Sequence, residues 1–232
     1  MENLKSYSDL HALPQETILN LSLKNQIFQE LTSDFDIEKT KEAWNKELDD
    51  KSLTSSNYTY GEVDFLSLAE TFEIIKTRHG QIKSGGTFYD LGSGSGKGVV
   101  SAALIHDFDK CKGIEVLESL HTIASKLFLS YQQVRLHLVY NHPDLWDKLP
   151  DIEFIFGDMF EESWTDASLI FVNSTCFDSK MMEMISNREV SPGTWAITLT
   201  KALKSDKWAI KQSLRKPMSW GEATIYIHER VS

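Results

Sequence analysis

The stretch Thr87-Phe88-Tyr89-Asp90-Leu91-Gly92-Ser93-Gly94-Ser95-Gly96, followed at once by Lys97-Gly98-Val99-Val100-Ser101-Ala102-Ala103-Leu104, decides the fold. A short apolar run is stopped by small residues and passes directly into a helical composition, as a buried parallel strand does before its crossover helix. The glycine-rich turn places the helix's first N–H groups toward any ligand at the strand's carboxyl end. Position tells against two nucleotide loops. A phosphate-cradling Walker loop needs Gly where Leu91 stands and Ser or Thr where Gly98 stands. A dinucleotide loop needs its third Gly at position 97, which is Lys, so that reading is weakened.

On either side the alternation of strand and helix continues. Phe65, Leu68, Phe72 and Ile75 recur at helical spacing before this strand, and residues 111–116 read as a second strand. Leu117, Leu120, Ile123, Leu127, Tyr131, Val134 and Leu138 mark a long amphipathic helix. Strands three, four and five fall at 152–158, 167–173 and 194–200, with a helix at 179–190 before the last. Residues 208–215 and 221–230 have no room for a helix between them and predict a closing antiparallel hairpin. The expected class is α/β, a Rossmann-like doubly wound sheet of seven strands ending in that hairpin. Residues 1–54, with Ile18, Leu21, Phe28 and Leu31 on one helical face and Asp36 able to cap a second helix carrying Trp44 and Leu48, predict a small helical appendage. The main domain is expected over 55–232. With 232 residues, 41% apolar and 25% charged, the chain suits one full-sized core, which excludes long disorder and a coiled-coil rod.

Three acids stand at the ends of three successive strands. Asp90 closes the first, Glu115 the second, and Asp158 lies in the Gly157-Asp158-Met159-Phe160 turn after the third. Together with Gly92, Ser93, Gly94 and Lys97 they fit a site for S-adenosylmethionine, where no pyrophosphate must be accommodated. Asp90 can approach the methionine ammonium, Glu115 can take both ribose hydroxyls, and Asp158 can accept from the adenine amino group while Met159 or Phe160 packs on the ring. After strand four, Asn173-Ser174-Thr175-Cys176-Phe177 puts small amide and hydroxyl groups at the same edge, able to orient an amine toward a sulfonium methyl. The competing reading of that cluster is capping of the next helix by Ser174 or Asp178.

Tyr60-Gly61-Glu62-Val63, the 88–104 run, Gly113-Ile114-Glu115-Val116, the 157–164 turn, Leu169-Ile170-Phe171-Val172-Asn173 and the 219–228 end resemble the disruptor-of-telomeric-silencing type of methyltransferase. These are histone-lysine methyltransferases built on a Rossmann-like sheet and not on the SET fold. The resemblance runs over about residues 55–230. It implies that Tyr60 and Glu62 close a loop over the cofactor's methionine end, that Asp90, Gly92, Glu115 and Asp158 hold S-adenosyl-L-methionine, and that Asn173 lies beside the transferring methyl. Phe177, Trp220 and Tyr226 are the expected walls of an aromatic lysine passage. Ser174 and Thr175 stand where the family has a second Asn and an aromatic, and Ile225 falls where an aromatic is expected in the hairpin. The alternatives are a non-histone protein or small amine as acceptor, and a binding module that keeps the fold without catalysis.

Charge bears on the partner. The formal net charge of −10 repels polyanions, and only residues 201–232 carry a positive balance, +4. Lys201, Lys204, Lys207, Lys211, Arg215 and Lys216 offer a basic face, or else solvated lysines along an edge strand. A Lys-rich extension of the kind the family uses to hold nucleosomal DNA is absent from this sequence. The expected partner is a protein substrate, histone or nucleosome by resemblance, with no membrane. Cys111 and Cys176 show no metal-ligand spacing and read as reduced thiols. Trp195, Trp208, His106 and His137 read as packing residues. The expected location is intracellular: nuclear for a histone substrate and cytoplasmic otherwise.

Overall fold

Strands β1 (Thr87–Leu91), β2 (Lys110–Glu115), β3 (Asp151–Phe156), β4 (Ala167–Val172), β5 (Trp195–Leu199), β6 (Trp208–Met218) and β7 (Gly221–Arg230) form one sheet in the order β3-β2-β1-β4-β5-β7-β6. The computed structural model describes residues 13–52, 61–80, 82–218 and 220–232. The first five strands run parallel, and β7 slots between β5 and β6 antiparallel to both. The order reverses between β1 and β4, so the crevice of a doubly wound sheet opens at their carboxyl ends.

Among the described residues six α-helices accompany the sheet: α1 (Gln15–Thr32), α2 (Ile37–Asp50), α3 (Phe65–Ile74), α4 (Lys97–Ile105), α5 (Glu118–Asn141) and α6 (Ser179–Asn187). The two-residue period of the strands sorts their side chains. Phe88, Cys111, Leu169 and Ile197 enter the core shared with α1, α3, α4 and α5, while Tyr89, Leu91, Ile114, Ile170 and Val172 enter the core under α6.

The helices expected as an appendage are layered onto this body. Leu21, Ile27 and Phe28 of α1 belong to the larger core, and the Phe28 ring lies 5.0 Å from that of Phe65. Asp36 caps α2 as expected, accepting from the N–H groups of Glu38 and Lys39. Trp44 and Leu48 of α2 pack on Leu117 and Leu120 at the start of α5. The α5 N-terminus has no cap of its own; Glu47 supplies one across the chain, accepting from Glu118 N–H at 3.0 Å and Ser119 N–H at 2.8 Å. Burial opposes that charge, but Lys51 at 2.5 Å and the capped N–H groups hold the Glu47 carboxyl down to about 2.

Packing bears on two of the readings. Of the basic residues after 200, Lys207 pairs with Glu189, Lys211 with Glu229 and Arg215 with Glu222, Lys201 Nζ donates to the Phe177 carbonyl, and Lys204 is exposed. Lys216 is buried and pairs with buried Glu70 at 2.8 Å, tying β6 to α3. Trp195, Trp208 and His106 are buried as expected, but His137 lies exposed on α5 beside Asn141. Among the described residues no helix is long and apolar enough to cross a membrane, and no cluster of metal ligands occurs.

Candidate active site

At the carboxyl ends of β1, β2 and β4 lies a cavity of about 320 Å³. The three acids singled out in the sequence all line it, with Gly92, Ser93, Gly94, Lys97, Glu62, Met159 and Asn173. Asp90 is 3% exposed, and no hydrogen bond from the described residues reaches its carboxylate. Gly98 makes that burial possible: a β-carbon there would stand 2.3 Å from Asp90 Oδ2, so only glycine lets α4 start against the acid. Gly96, at φ 85°, turns the chain into that helix, and a β-carbon on it would meet the Phe154 ring at 2.4 Å. Burial first, and then the charge of Glu115, push the Asp90 carboxyl well above the usual carboxylate range. A cation entering the cavity would reverse that penalty.

Glu115 is held by its neighbours. Its Oε2 accepts from Gly94 N–H at 2.8 Å and its Oε1 from Leu117 N–H at 2.9 Å, which leaves further lone pairs for a diol. Burial raises its pKa, and the N–H groups of Leu117, Gly94 and Val116 work against the rise. Asp158 is exposed at the cavity rim, its Oδ1 accepting from Phe160 N–H at 2.9 Å, so the turn fixes the acid and turns Met159 inward to 8% exposure. A buried acid beside α4, a second acid with spare acceptors and a rim acid over an apolar floor match a ligand cationic at one end, hydroxylated in the middle and heteroaromatic at the other.

The opposite wall comes from β4 and the segment before α3. Glu62 pairs with Lys97 at 2.8 Å, both mostly buried, and this joins the start of the 61–64 segment to the start of α4. Asn173 Nδ2 donates to the Gly61 carbonyl at 3.1 Å, and its Oδ1 accepts from the Thr175 hydroxyl at 2.9 Å. Gly61 is in turn backed by Trp220, whose Cε3 would lie 2.4 Å from a β-carbon at 61. Trp220 thus supports the wall from behind and does not line the cavity, whereas Phe177 lines it directly. Tyr226 is not brought to the cavity: it sits on β7 with its ring 6.2 Å from that of His228. Ile225 is core, 1% exposed between Leu199 and Leu214. Tyr60 lies outside the described residues. Asp178 caps α6 as the competing reading of the 173–177 cluster held, and Ser174 instead ties the loop to β5.

Trp44, Leu117 and Leu120 also line the cavity, which no local sequence pattern signals. Trp44 reads locally as one apolar position on a helix; only the docking of α2 on α5 brings it to the site. Met181 of α6 is a further wall residue, and Cys176 of the 173–177 cluster also lines the cavity.

A doubly wound sheet with this cavity at its switch point is the architecture of class I S-adenosylmethionine-dependent methyltransferases. A putative methyltransferase of that class from Listeria monocytogenes shares it at TM-score 0.50 and 12% identity, over 72% of this chain and 59% of that one. The putative methyltransferase yhhF from Escherichia coli does so at 0.50 and 12%, over 72% and 87%. An RNA methyltransferase from Salinibacter ruber in complex with S-adenosyl-L-homocysteine matches with 23% identity over 72% and 88%, at TM-score 0.47. A search of curated proteins returns no match. Residues 45–219, about three quarters of the chain, match the family described as "Histone methylation protein DOT1", and the chain belongs to that family. It is an S-adenosylmethionine-dependent methyltransferase.

Proposed function

We propose that this chain transfers a methyl group to the side-chain amine of a protein lysine, a histone lysine by its family. The observation that supports this reading most is Asn173, a neutral amide held at both ends and facing the cavity opposite Asp90 and Glu115. When bound, S-adenosylmethionine supplies an electrophilic methyl on a positively charged sulfur. The chain's residues have three tasks toward it. Asp90 would meet its positive charge, Glu115 would accept from its ribose hydroxyls, and Asp158 with Met159 would receive its adenine. Asn173 is too weak a base to take a proton, so it orients and does not deprotonate. The apolar wall of Phe177, Phe160 and Met181 disfavours an ammonium and favours the neutral amine that can attack. The neutral amine's electron pair would form the new N–C bond with the methyl the cofactor supplies, the C–S pair would pass to sulfur, and the amine proton would leave to solvent.

Charge supports a particular form of acceptor. Lys201, Lys207, Lys211, Arg215 and Lys216 are matched to acids or carbonyls, Lys204 stays exposed among them, and the −10 of the whole chain repels DNA. The same field attracts a lysine-rich protein segment. Free core histones or another basic protein are therefore the expected acceptors in preference to nucleosomes.

Labelled cofactor with free histones, nucleosomes and histone-free lysate, followed by mass analysis of the product, tests this. Methyl-lysine on a protein is the expected result; label only on small amines would overturn the reading. Asn173→Ala should lower kcat by about 100-fold while cofactor Kd stays within a few-fold, since positioning dominates such a displacement.

A further inference from the structure

The loop that carries Asn173 is clipped to a strained three-residue turn at the end of β5. Lys201 N–H donates to the Leu199 carbonyl at 2.8 Å, closing a γ-turn over residues 199–201, and Thr200 at its centre has φ 70°. That is a rare conformation for a β-branched residue, and a strained one. Ser52 is the other non-glycine residue with positive φ among those described, and it lies far along the chain in a helix-terminal turn.

Four contacts join this turn to the loop. The buried Ser174 hydroxyl donates to the Leu199 carbonyl and reaches the Lys201 carbonyl at 3.2 Å. Lys201 Nζ donates to the Phe177 carbonyl, and the Thr200 and Thr175 hydroxyls lie 3.0 Å apart. Thr200 N–H is itself fixed, donating to the Thr224 carbonyl of β7 at 2.7 Å. The direction of the hydroxyl chain follows from its end. Asn173 Oδ1 can only accept, so Thr175 donates to it and must therefore accept from Thr200. At the other end of the amide, Nδ2 donates to Gly61. A reversed amide would set its oxygen against the Gly61 carbonyl, two acceptors facing each other, whereas the Thr175 hydroxyl could turn to accept; Gly61 therefore sets the direction of the amide.

We propose that the γ-turn at Thr200 is a positioning element: the Gly61 carbonyl sets which end of the Asn173 amide faces it, and the Thr200 and Thr175 hydroxyls hold the Oδ1 end in place. At this positive φ the Thr200 hydroxyl lies 3.0 Å from that of Thr175, so the strained residue is the one that reaches the loop. Ser174 and Thr175, the departures from the family's pattern, are on this account the two residues that make the clip. The inference deepens the proposed function and rests on Asn173 acting in methyl transfer.

The test uses the full chain and two readouts. In the first, the side-chain amide resonances of Asn173 are identified by their disappearance in Asn173→Ala. They are expected to be dispersed and slow to exchange in the parent, and to move toward solvent values in Thr175→Val. In the second, Thr175→Val lowers kcat by about tenfold with cofactor Kd within twofold, as expected from loss of one orienting hydrogen bond, and Thr175→Ser restores it. Thr200→Gly removes the hydroxyl while relieving the backbone, so kcat falls although Tm holds or rises. Asn173 resonances unmoved in Thr175→Val, or a Thr200→Gly protein with parent kcat, would overturn the proposal. If no protein is methylated but the resonances still move, the acceptor reading fails and the clip stands.

Discussion

The carboxylates of the cavity and the amide that faces them are held by different kinds of contact. Asp90, Glu115 and Asp158 are fixed by backbone within a few residues or by the adjoining strand: Gly98 beside Asp90, Gly94 and Leu117 N–H on Glu115, Phe160 N–H on Asp158. Asn173 is fixed by Gly61, 112 residues earlier, and through Thr175 by Thr200 in a separate turn. A cofactor common to the class is met by geometry the strand ends provide. The wall facing it is assembled from side chains of distant segments, so it can vary while the acids stay.

The comparison breaks most sharply at Asp90. Asp90→Asn keeps the shape and removes the charge, and should cost about 2–5 kcal/mol of cofactor affinity, as for loss of one partner of a buried charge pair. Calorimetry that finds unchanged affinity would show that the acid is only structural. Trp44→Ala sharpens it from the other side, since that wall is built by docking: cofactor affinity should fall by about tenfold, on the scale of one aromatic contact. In the parent, titration with cofactor should change tryptophan fluorescence, and the change should shrink in Trp44→Phe.

Glu47→Ala removes the cross-chain cap of α5 and should lower stability by about 1 kcal/mol, or about 2–4 °C in Tm. A small loss of cofactor affinity should accompany it as Trp44 loosens; a melt identical to the parent's would remove the cap from the account.

The smallest effect is one of pH. Asp90 and Glu115 have raised pKa values when folded, so the folded chain binds more protons than the unfolded one. Stability without cofactor then falls as pH rises from the ordinary carboxylate range toward the raised values. A cation in the cavity favours the ionised acids and removes that loss. The cofactor-induced rise in Tm should therefore grow as pH rises from the ordinary carboxylate range toward the raised values, and Asp90→Asn should flatten the trend. His228, held near 4 by burial, does not line the cavity and cancels in the difference between melts with and without cofactor.

Much of this was legible before folding. A strand stopped by glycine, acids at strand ends and alternating periods are local features, and local backbone preference reports them directly. The hairpin was legible for the same reason. Tyr226 was not: its place on β7 depends on which face of the strand meets the cavity, and the register with Thr198 and Ser213 turns it toward His228. Nor was the pairing of the basic residues after 200, because Glu70, Glu189, Glu222 and Glu229 reach them from α3, the 188–194 segment and β7.

By itself the sequence determined the sheet, its switch point and the carboxylates that face it, since each is a property of one strand and the turn after it. Only the tertiary structure decided that Trp44 joins the site, that Trp220 stands behind Gly61 and that Thr200 reaches Asn173 through Thr175. Those contacts join segments far apart in the chain, and side-chain packing and hydrogen-bond direction, which no short stretch encodes, select among the possible partners.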